Sequence, residues 1–297
     1  MSLRSLSFWL ADVFASEPLS GNGLSIFLLD EGLTTEAMQR ITQEMRQFET
    51  IFVSRVDSTS KFRARIFTME EELSFAGHPI IGAAAFLHSH LYDRSETAQL
   101  AFAMPERTID VTSRREGAHY FAEMDQGVAG FDAPILDSRI DTALKALNLT
   151  RSDLDPSLPL QVVSTGLPYL IVPVVANLES ARIVAPRFEA LLATLGAKFV
   201  YVFDVERREG RTWDNDGRVE DIATGSAAGP AAAYLVEHGC AELGESLVLA
   251  QGRFVGRPSE LHAVVHGTSR LGVTVRGQVC LVGNGALQLP EALLRRA

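Results

Sequence analysis

One stretch of this chain occurs twice. Gly77-His-Pro-Ile-Ile-Gly-Ala-Ala-Ala-Phe-Leu87 lays over Gly225-Ser-Ala-Ala-Gly-Pro-Ala-Ala-Ala-Tyr-Leu235 without a gap. The first glycine, an alanine triplet, an aromatic and a leucine coincide, and His78 faces Ser226. Each copy reads as a tight glycine turn opening an alanine-filled helix. Glycine takes backbone conformations that a Cβ penalises, and Pro79 suits the first helical position. Alanine-rich helices resemble one another by composition alone, but the shared turn and the similar run of chain before each copy favour duplication. The free N–H groups of a helix start form a ready-made anion site. The expected architecture is two like domains, each aiming a helix N-terminus at a shared cleft.

At 297 residues the chain exceeds one comfortable core and fits two domains. Hydrophobic content of 46% and charged content of 22% are those of a globular protein. A net charge of −10 argues against broad binding of nucleic acid or an anionic membrane. An anionic substrate stays open, because a nest of amides acts at short range whatever the net charge. No run of about 18 apolar residues exists to span a membrane. The first residues lack the apolar segment of a signal peptide. Two cysteines, Cys240 and Cys280, build no disulfide framework, so a reducing cytoplasm is the expected location.

Taken in order, residues 7–14 and 24–29 read as strands separated by a turn at Pro18, Gly21, Asn22 and Gly23, and Asp30-Glu31-Gly32 breaks the second. Residues 34–45 read as a helix with a threonine cap and Met38, Ile41 and Met45 on one face. A strand over 48–54 puts Glu49 at its mouth, and 61–67 alternates charged and apolar as a half-solvated strand does. Strands at 98–104, 108–112 and 118–124 follow the first glycine helix. Glycine and proline then mark a candidate linker at 126–134. The second half repeats the logic: a helix at 141–147, strands at 161–165 and 169–174, a helix at 189–195 and a strand at 199–203. Pro173 favours an edge or irregular end for its strand. A hairpin or loop at 211–218 leads to the second glycine turn, and strands at 246–251, 262–266, 272–275 and 278–282 close the chain.

Three side chains stand out chemically. Glu49 lies between Phe48 and Ile51-Phe52-Val53, where an apolar wall disfavours the charged carboxylate and suits it to give and take a proton near neutrality; the plain alternative is a strand-end glutamate facing water. His78 sits at a helix start whose positive dipole end favours neutral imidazole, and otherwise caps or packs. Asp221 precedes the second glycine turn as a carboxylate beside many donors, or as a simple turn aspartate. Ser226 lacks the flanks of a nucleophile elbow and reads as an anion-binding hydroxyl. His88-Ser-His90 and His262-Ala-Val-Val-His266 lack the partners of a metal site, so no metal is expected. Gly21-Asn-Gly23 and Gly283-Asn-Gly285 do not continue into a dinucleotide fingerprint.

With these residues in view, the chain resembles the phenazine-biosynthesis PhzF-like family of the diaminopimelate-epimerase-like superfamily. The matching pieces are Asp12-Val-Phe, Pro18, Gly21-Asn22, Glu49-Thr50, Phe75-Ala-Gly-His-Pro79, Met124-Asp-Gln126, Ser164-Thr-Gly-Leu-Pro168, Glu220-Asp221, Thr224-Gly-Ser-Ala-Ala-Gly229, Gln251-Gly and Gly256-Arg-Pro-Ser259. The resemblance implies a cofactor-free reaction and a homodimer. It makes Glu49 the proton-shuttling acid and His78 and Asp221 its assisting pair. It makes Asn22, Gly77, Gly225 and Ser226 the substrate-binding positions, holding a carboxylate and a developing oxyanion. Related racemases use two cysteines at the helix starts; neither cysteine here stands there, which disfavours a two-thiol mechanism. Gly23 replaces the family's usual proline and Arg46-Gln47-Phe48 its usual Asn-Leu-Ser, both near the expected pocket.

The combined expectation is an α+β chain of two pseudo-symmetric domains, each a mixed, mainly antiparallel sheet or barrel wrapped round a central helix. Residues 1–126 form the first, which the last ~15 residues are candidates to complete, and residues 127–297 the second. The expected activity is a cofactor-independent isomerase moving a proton between carbons of a small carboxylate. An epimerase or racemase of an amino-acid-like compound, and a non-catalytic metabolite-binding protein, are the alternatives.

Overall fold

A helix that is apolar on every side must be enclosed on every side. The computed structural model, which describes residues 3–30, 32–56, 60–105 and 107–294, shows two such helices, one in each of two compact units. Unit 1 comprises residues 1–124 and 276–297, and unit 2 residues 125–275.

Unit 1 contains β1 (Leu3–Val13), β2 (Asn22–Leu29), α1 (Thr35–Met45), β3 (Glu49–Arg55), β4 (Lys61–Phe67), β5 (Glu72–Leu73), α2 (Gly77–Leu91), β6 (Thr97–Ala103), β7 (Thr108–Glu116) and most of β8 (His119–Val128). Helix α1 starts where the threonine cap predicts, with Ala37 N donating to Thr34 Oγ1 at 3.1 Å. The break expected at Asp30-Glu31-Gly32 includes Glu31, which lies outside the described residues. Strands β2 and β3 are parallel, joined by α1, and β4 and β6 are parallel, joined by β5 and α2; β1–β2, β3–β4, β6–β7 and β7–β8 are antiparallel. Helix α2 packs against β1, β2, β3, β6 and β7, and every residue from Gly77 to His88 is buried. Small residues let the strands approach it. A Cβ on Gly82 would stand 2.5 Å from Leu24 Cδ2 and 2.8 Å from Val13 Cγ2. Helix α1 covers the other face, with Ala37, Met38 and Ile41 against Phe27, Phe52 and Phe67.

Unit 2 uses the same order. Its elements are β9 (Gly130–Phe131), α3 (Asp137–Ala146), β10 (Gln161–Ser164), β11 (Pro168–Val174), α4 (Phe188–Thr194), β12 (Phe199–Asp204), β13 (Glu209–Arg211), α5 (Gly225–Glu237), β14 (Ser246–Gln251), β15 (Ser259–His266) and the start of β16 (Gly272–Pro290). Strands β11 and β12 are parallel across α4, and β13 and β14 across α5; β10–β11, β12–β13 and β14–β15 are antiparallel. Helix α5 packs against β10, β11, β12 and β15, and Gly225 to Leu235 are buried. In each unit the central helix is thus the crossover between two parallel strands. The two aligned stretches begin their helices at the same aligned residue, Gly77 and Gly225.

The structure differs from the sequence reading in several places. Pro79 is the third helical residue, not the first, and Pro230 lies inside α5. The start of the stretch expected as a linker is instead the end of strand β8, which runs past the unit boundary to Val128, with β9 at Gly130–Phe131; the chain leaves unit 2 within β16, where two expected strands are one. Unit 2 therefore starts at Asp125, and the chain from Arg276 onward groups with unit 1. Pro173 sits in a strand paired on both sides, tolerated because the β10 pairing stops at Ile171. Among the described residues no helix is long and apolar enough to cross a membrane.

One polar feature is built into unit 2. Arg211 on β13 donates to both carboxylate oxygens of Glu220, at 2.9 and 2.5 Å, and through Nη1 to the carbonyls of Leu178, Glu179 and Ala181. Its guanidinium lies 4.9 Å from the Trp213 ring centroid and 4.4 Å from that of Phe254. Glu220→Leu strands that buried charge, and urea unfolding is expected to show a loss of about 3–5 kcal/mol. Gly82→Ala gains helix propensity but must displace two fully buried side chains; overpacking costs ~1–3 kcal/mol against a propensity gain of about 1, so its urea midpoint is expected to fall, not rise.

Candidate active site

In unit 1, three strand and helix starts bring polar groups together. The loop before β2 carries Phe14, Leu19 and Gly21 at φ of 61°, 69° and 64°, and Leu19 N donates to the buried Asp12 carboxylate at 2.7 Å. Left-handed Phe and Leu are uncommon and cost free energy. That anchored loop delivers Asn22 to the first position of β2, fully buried. Glu49 opens β3, in register with Leu24, and is 6% exposed; His78, in the first turn of α2, is 4% exposed. Asn22 Nδ2 lies 3.5 Å from His78 Nδ1, and Glu49 Oε2 lies 2.8 Å from the same nitrogen. The carboxyl–imidazole approach is off the hydrogen-bond line, so no aligned donor among the described residues occupies Glu49 Oε2. A buried carboxyl oxygen left in that state is costly for folding. It is what a group that must reach a substrate atom requires.

Unit 2 gathers a different set. Asp221, Thr224 and Ser226 are all buried, and Gly225 is the first residue of α5. Asp221 N donates to Thr212 O at 3.0 Å, and Thr224 Oγ1 makes a short hydrogen bond to Asp221 Oδ2. The Ser226 hydroxyl shares a 2.7 Å hydrogen bond with Tyr169 OH. Gln126 Nε2 donates to Gly225 O at 2.7 Å, and its Oε1 accepts from Thr165 Oγ1 at 3.0 Å, which clamps the first turn from below. Neither α2 nor α5 is capped by a side chain of its own. Each helix start carries the positive end of its helix dipole.

The structure therefore gathers Asn22, Gly77, Glu49 and His78 in unit 1, and Asp221, Gly225 and Ser226 in unit 2. Sequence reasoning gave no role to Asp12, Gln126, Thr165, Tyr169 or Gln251. All but Tyr169 fall in pieces that carry the resemblance; nothing in the sequence around Tyr169 marks it. The cysteines are elsewhere: Cys240 follows the far end of α5 and Cys280 lies on β16, and burial pushes both thiols up. Among the described residues no group of three or more His, Cys, Asp or Glu is arranged to hold a metal.

The two departures near the expected pocket prove to be neighbours. Gly23 follows Asn22 and has no left-handed backbone to explain it. A Cβ there would stand 2.3 Å from Gln47 Oε1, so Gln47 lays its carboxamide where any side chain at position 23 would go. The two residues thus share one space, next in sequence to Asn22 and two residues before Glu49.

Comparison with known proteins places this geometry. Residues 11–285 match the family model described as phenazine biosynthesis-like protein. A trans-2,3-dihydro-3-hydroxyanthranilate isomerase of Pseudomonas chlororaphis is 32% identical over 94% of this chain and 98% of its own length. The structure of a predicted epimerase from Pseudomonas aeruginosa superposes with a TM-score of 0.89 at 49% identity, covering 95% of this chain and 99% of that one. A PhzF-family protein of Bacillus anthracis gives 0.80 at 25% identity, covering 96% and 99%. Whole-length similarity to isomerases assigns the chain: it belongs to the phenazine biosynthesis-like family and is an isomerase.

Proposed function

We propose that the chain moves a proton between two carbons of a small cyclic carboxylate without a cofactor, with Glu49 as the general acid and base. One observation carries this reading: the duplicated fold does not duplicate the acid. The first parallel pair in unit 1 is Leu24–Glu49, and its counterpart in unit 2 is Tyr169–Phe199. At the helix starts His78 aligns with Ser226. A racemase that uses the two halves alike would place an acid or thiol at the matched strand or helix start of both units. A single carboxyl that lifts a proton and sets it down on another carbon needs only one.

In this reading Glu49 takes a proton from carbon, the electron pair delocalises toward the substrate carboxylate, and the same carboxyl returns the proton at a second carbon. His78, 2.8 Å from Glu49, shares the proton while it is off the substrate. Asn22 orients the imidazole. The amide groups of Gly225 and Ser226 and the Ser226 hydroxyl hold the carboxylate, and Asp221 assists; the reading requires both helix starts to serve one substrate. A donor preorganised on a developing oxyanion gives roughly 3 kcal/mol and a positioned acid/base about 10²–10⁴-fold. The substrate of the Pseudomonas relatives is the first compound to try. An epimerase is the second reading, favoured by Asp221 as a further carboxylate beside the α5 start.

Two experiments follow. In deuterium oxide with trans-2,3-dihydro-3-hydroxyanthranilate, wild-type protein is expected to place deuterium on carbon, and Glu49→Gln to slow this by about 10³-fold. Full exchange in Glu49→Gln removes the base from the mechanism, and inversion at a single carbon without bond migration selects the epimerase reading. Gly23→Ala and Gln47→Ala each displace the same carboxamide. They are expected to change KM by a similar factor, and the double variant by no more than either single one, the non-additivity of residues that act as a unit.

A further inference from the structure

The α5 start has the residue type of a capped helix but not the cap. Thr224 stands at the N-cap position, but its side chain makes no bond to its own helix, forgoing about 1 kcal/mol. Its hydroxyl is committed elsewhere, to the Asp221 carboxylate. What commits it is Gln251, 1% exposed at the end of β14. Gln251 Nε2 donates to Asp221 O at 2.8 Å and to Thr224 Oγ1 at 2.9 Å, and Gln251 Oε1 accepts from Thr224 N at 3.3 Å.

Only one polarity satisfies this set. The reversed amide would turn its NH₂ on the Thr224 N–H and its oxygen on the Asp221 carbonyl, like against like. With the amide fixed, Nε2 can only donate to the Thr224 hydroxyl. That hydroxyl has one proton, and the remaining acceptor in line is Asp221 Oδ2. Proton direction therefore runs one way, from Gln251 through Thr224 to Asp221. A charge-assisted bond at the end of such a chain is about twice as strong as a neutral one.

We infer that Thr224 and Gln251 are positioning residues that hold Asp221 in one rotamer with its Oδ2 fixed as a hydrogen-bond acceptor. The inference rests on the reading of Asp221 as a group that assists the reaction. A purely structural clamp on this loop is already supplied by Gln251 and the Asp221 backbone carbonyl. The hydroxyl step adds nothing to that clamp; it acts on the carboxylate. The direction of the chain thus fixes Asp221 Oδ2 as an acceptor and sets the orientation in which the carboxyl is presented.

Thr224→Val, which keeps the shape and removes the hydroxyl, tests this together with Thr224→Ser, Gln251→Leu and Asp221→Asn. With trans-2,3-dihydro-3-hydroxyanthranilate, Thr224→Val is expected to lower kcat by about 10–100-fold with KM within about threefold, and Thr224→Ser to recover within about threefold of wild type. A Thr224→Val enzyme within twofold of wild-type kcat, or a Thr224→Ser enzyme as slow as Thr224→Val, overturns the inference. If Asp221→Asn is slow while Thr224→Val is not, the inference alone fails; if Asp221→Asn keeps full activity, the reading of Asp221 falls and takes the inference with it. A measurement without substrate stands beside these. Proton NMR is expected to show a slowly exchanging downfield hydroxyl signal that disappears in Thr224→Val and moves upfield in Gln251→Leu, and its absence from wild-type protein sinks the proposal.

Discussion

Enclosing a helix on all sides leaves it no polar face, and everything else in this protein follows from that restriction. A helix inside a sheet cannot hold charged side chains along its length. It must be built from alanine, glycine and compact apolar residues so that strands can approach, as Leu24 and Val13 approach α2 at Gly82. The one part of it that remains polar is its end, where four amide donors lack partners within the helix. Chemistry is therefore confined to the helix start and to whatever the neighbouring strand starts bring beside it. Asn22 opens β2, Glu49 opens β3 and His78 lies in the first turn of α2; the polar groups gather where the strands and the helix begin.

Duplication then supplies a second helix start, and divergence gives it different work. Both units place a central helix as the crossover between parallel strands. Yet the position that bears a carboxyl in unit 1 bears Phe199 in unit 2, and the histidine has become Ser226. The ring of Tyr169 stacks on Phe199, with centroids 5.5 Å apart, and its hydroxyl is carried to Ser226. Unit 1 keeps a carboxyl oxygen without an aligned donor, while unit 2 ties its hydroxyls and amides into a bonded network round a helix start. One arrangement suits proton transfer and the other suits grip.

Much of this was legible in the sequence because its causes are local or periodic. The repeat, the glycine turns, the threonine cap of α1 and the strand that presents Glu49 all rest on contiguous residues. What escaped depends on contacts distant in sequence. No local pattern shows that 272–275 and 278–282 are one long strand, because Gly277 between them reads as a break. None shows that the start of a glycine-rich stretch continues β8, since the partners that hold it extended lie far along the chain. Gln126 and Gln251 carry no titratable group and sit in strands, so composition gives them no chemical weight; their importance appears only when Gly225 and Thr224 are found within hydrogen-bond reach. Gln47 is similar: its departure from the family pattern is visible in sequence, but that it shares one space with the departure at Gly23 is a matter of 2.3 Å.

The two carboxyl groups, one in each unit, contrast in their surroundings. A carboxylate that accepts well-directed hydrogen bonds is stabilised in its charged form, whereas one held in an apolar wall without them is not. Asp221 belongs to the first kind, since Thr224 donates to it and Gln251 fixes that donation. Glu49 is placed differently: its Oε2 lies 2.8 Å from His78 Nδ1, off the hydrogen-bond line. A buried carboxyl oxygen that already accepts a directed hydrogen bond gains little from a further partner, whereas one without an aligned donor gains the full difference between a made and an unmade bond.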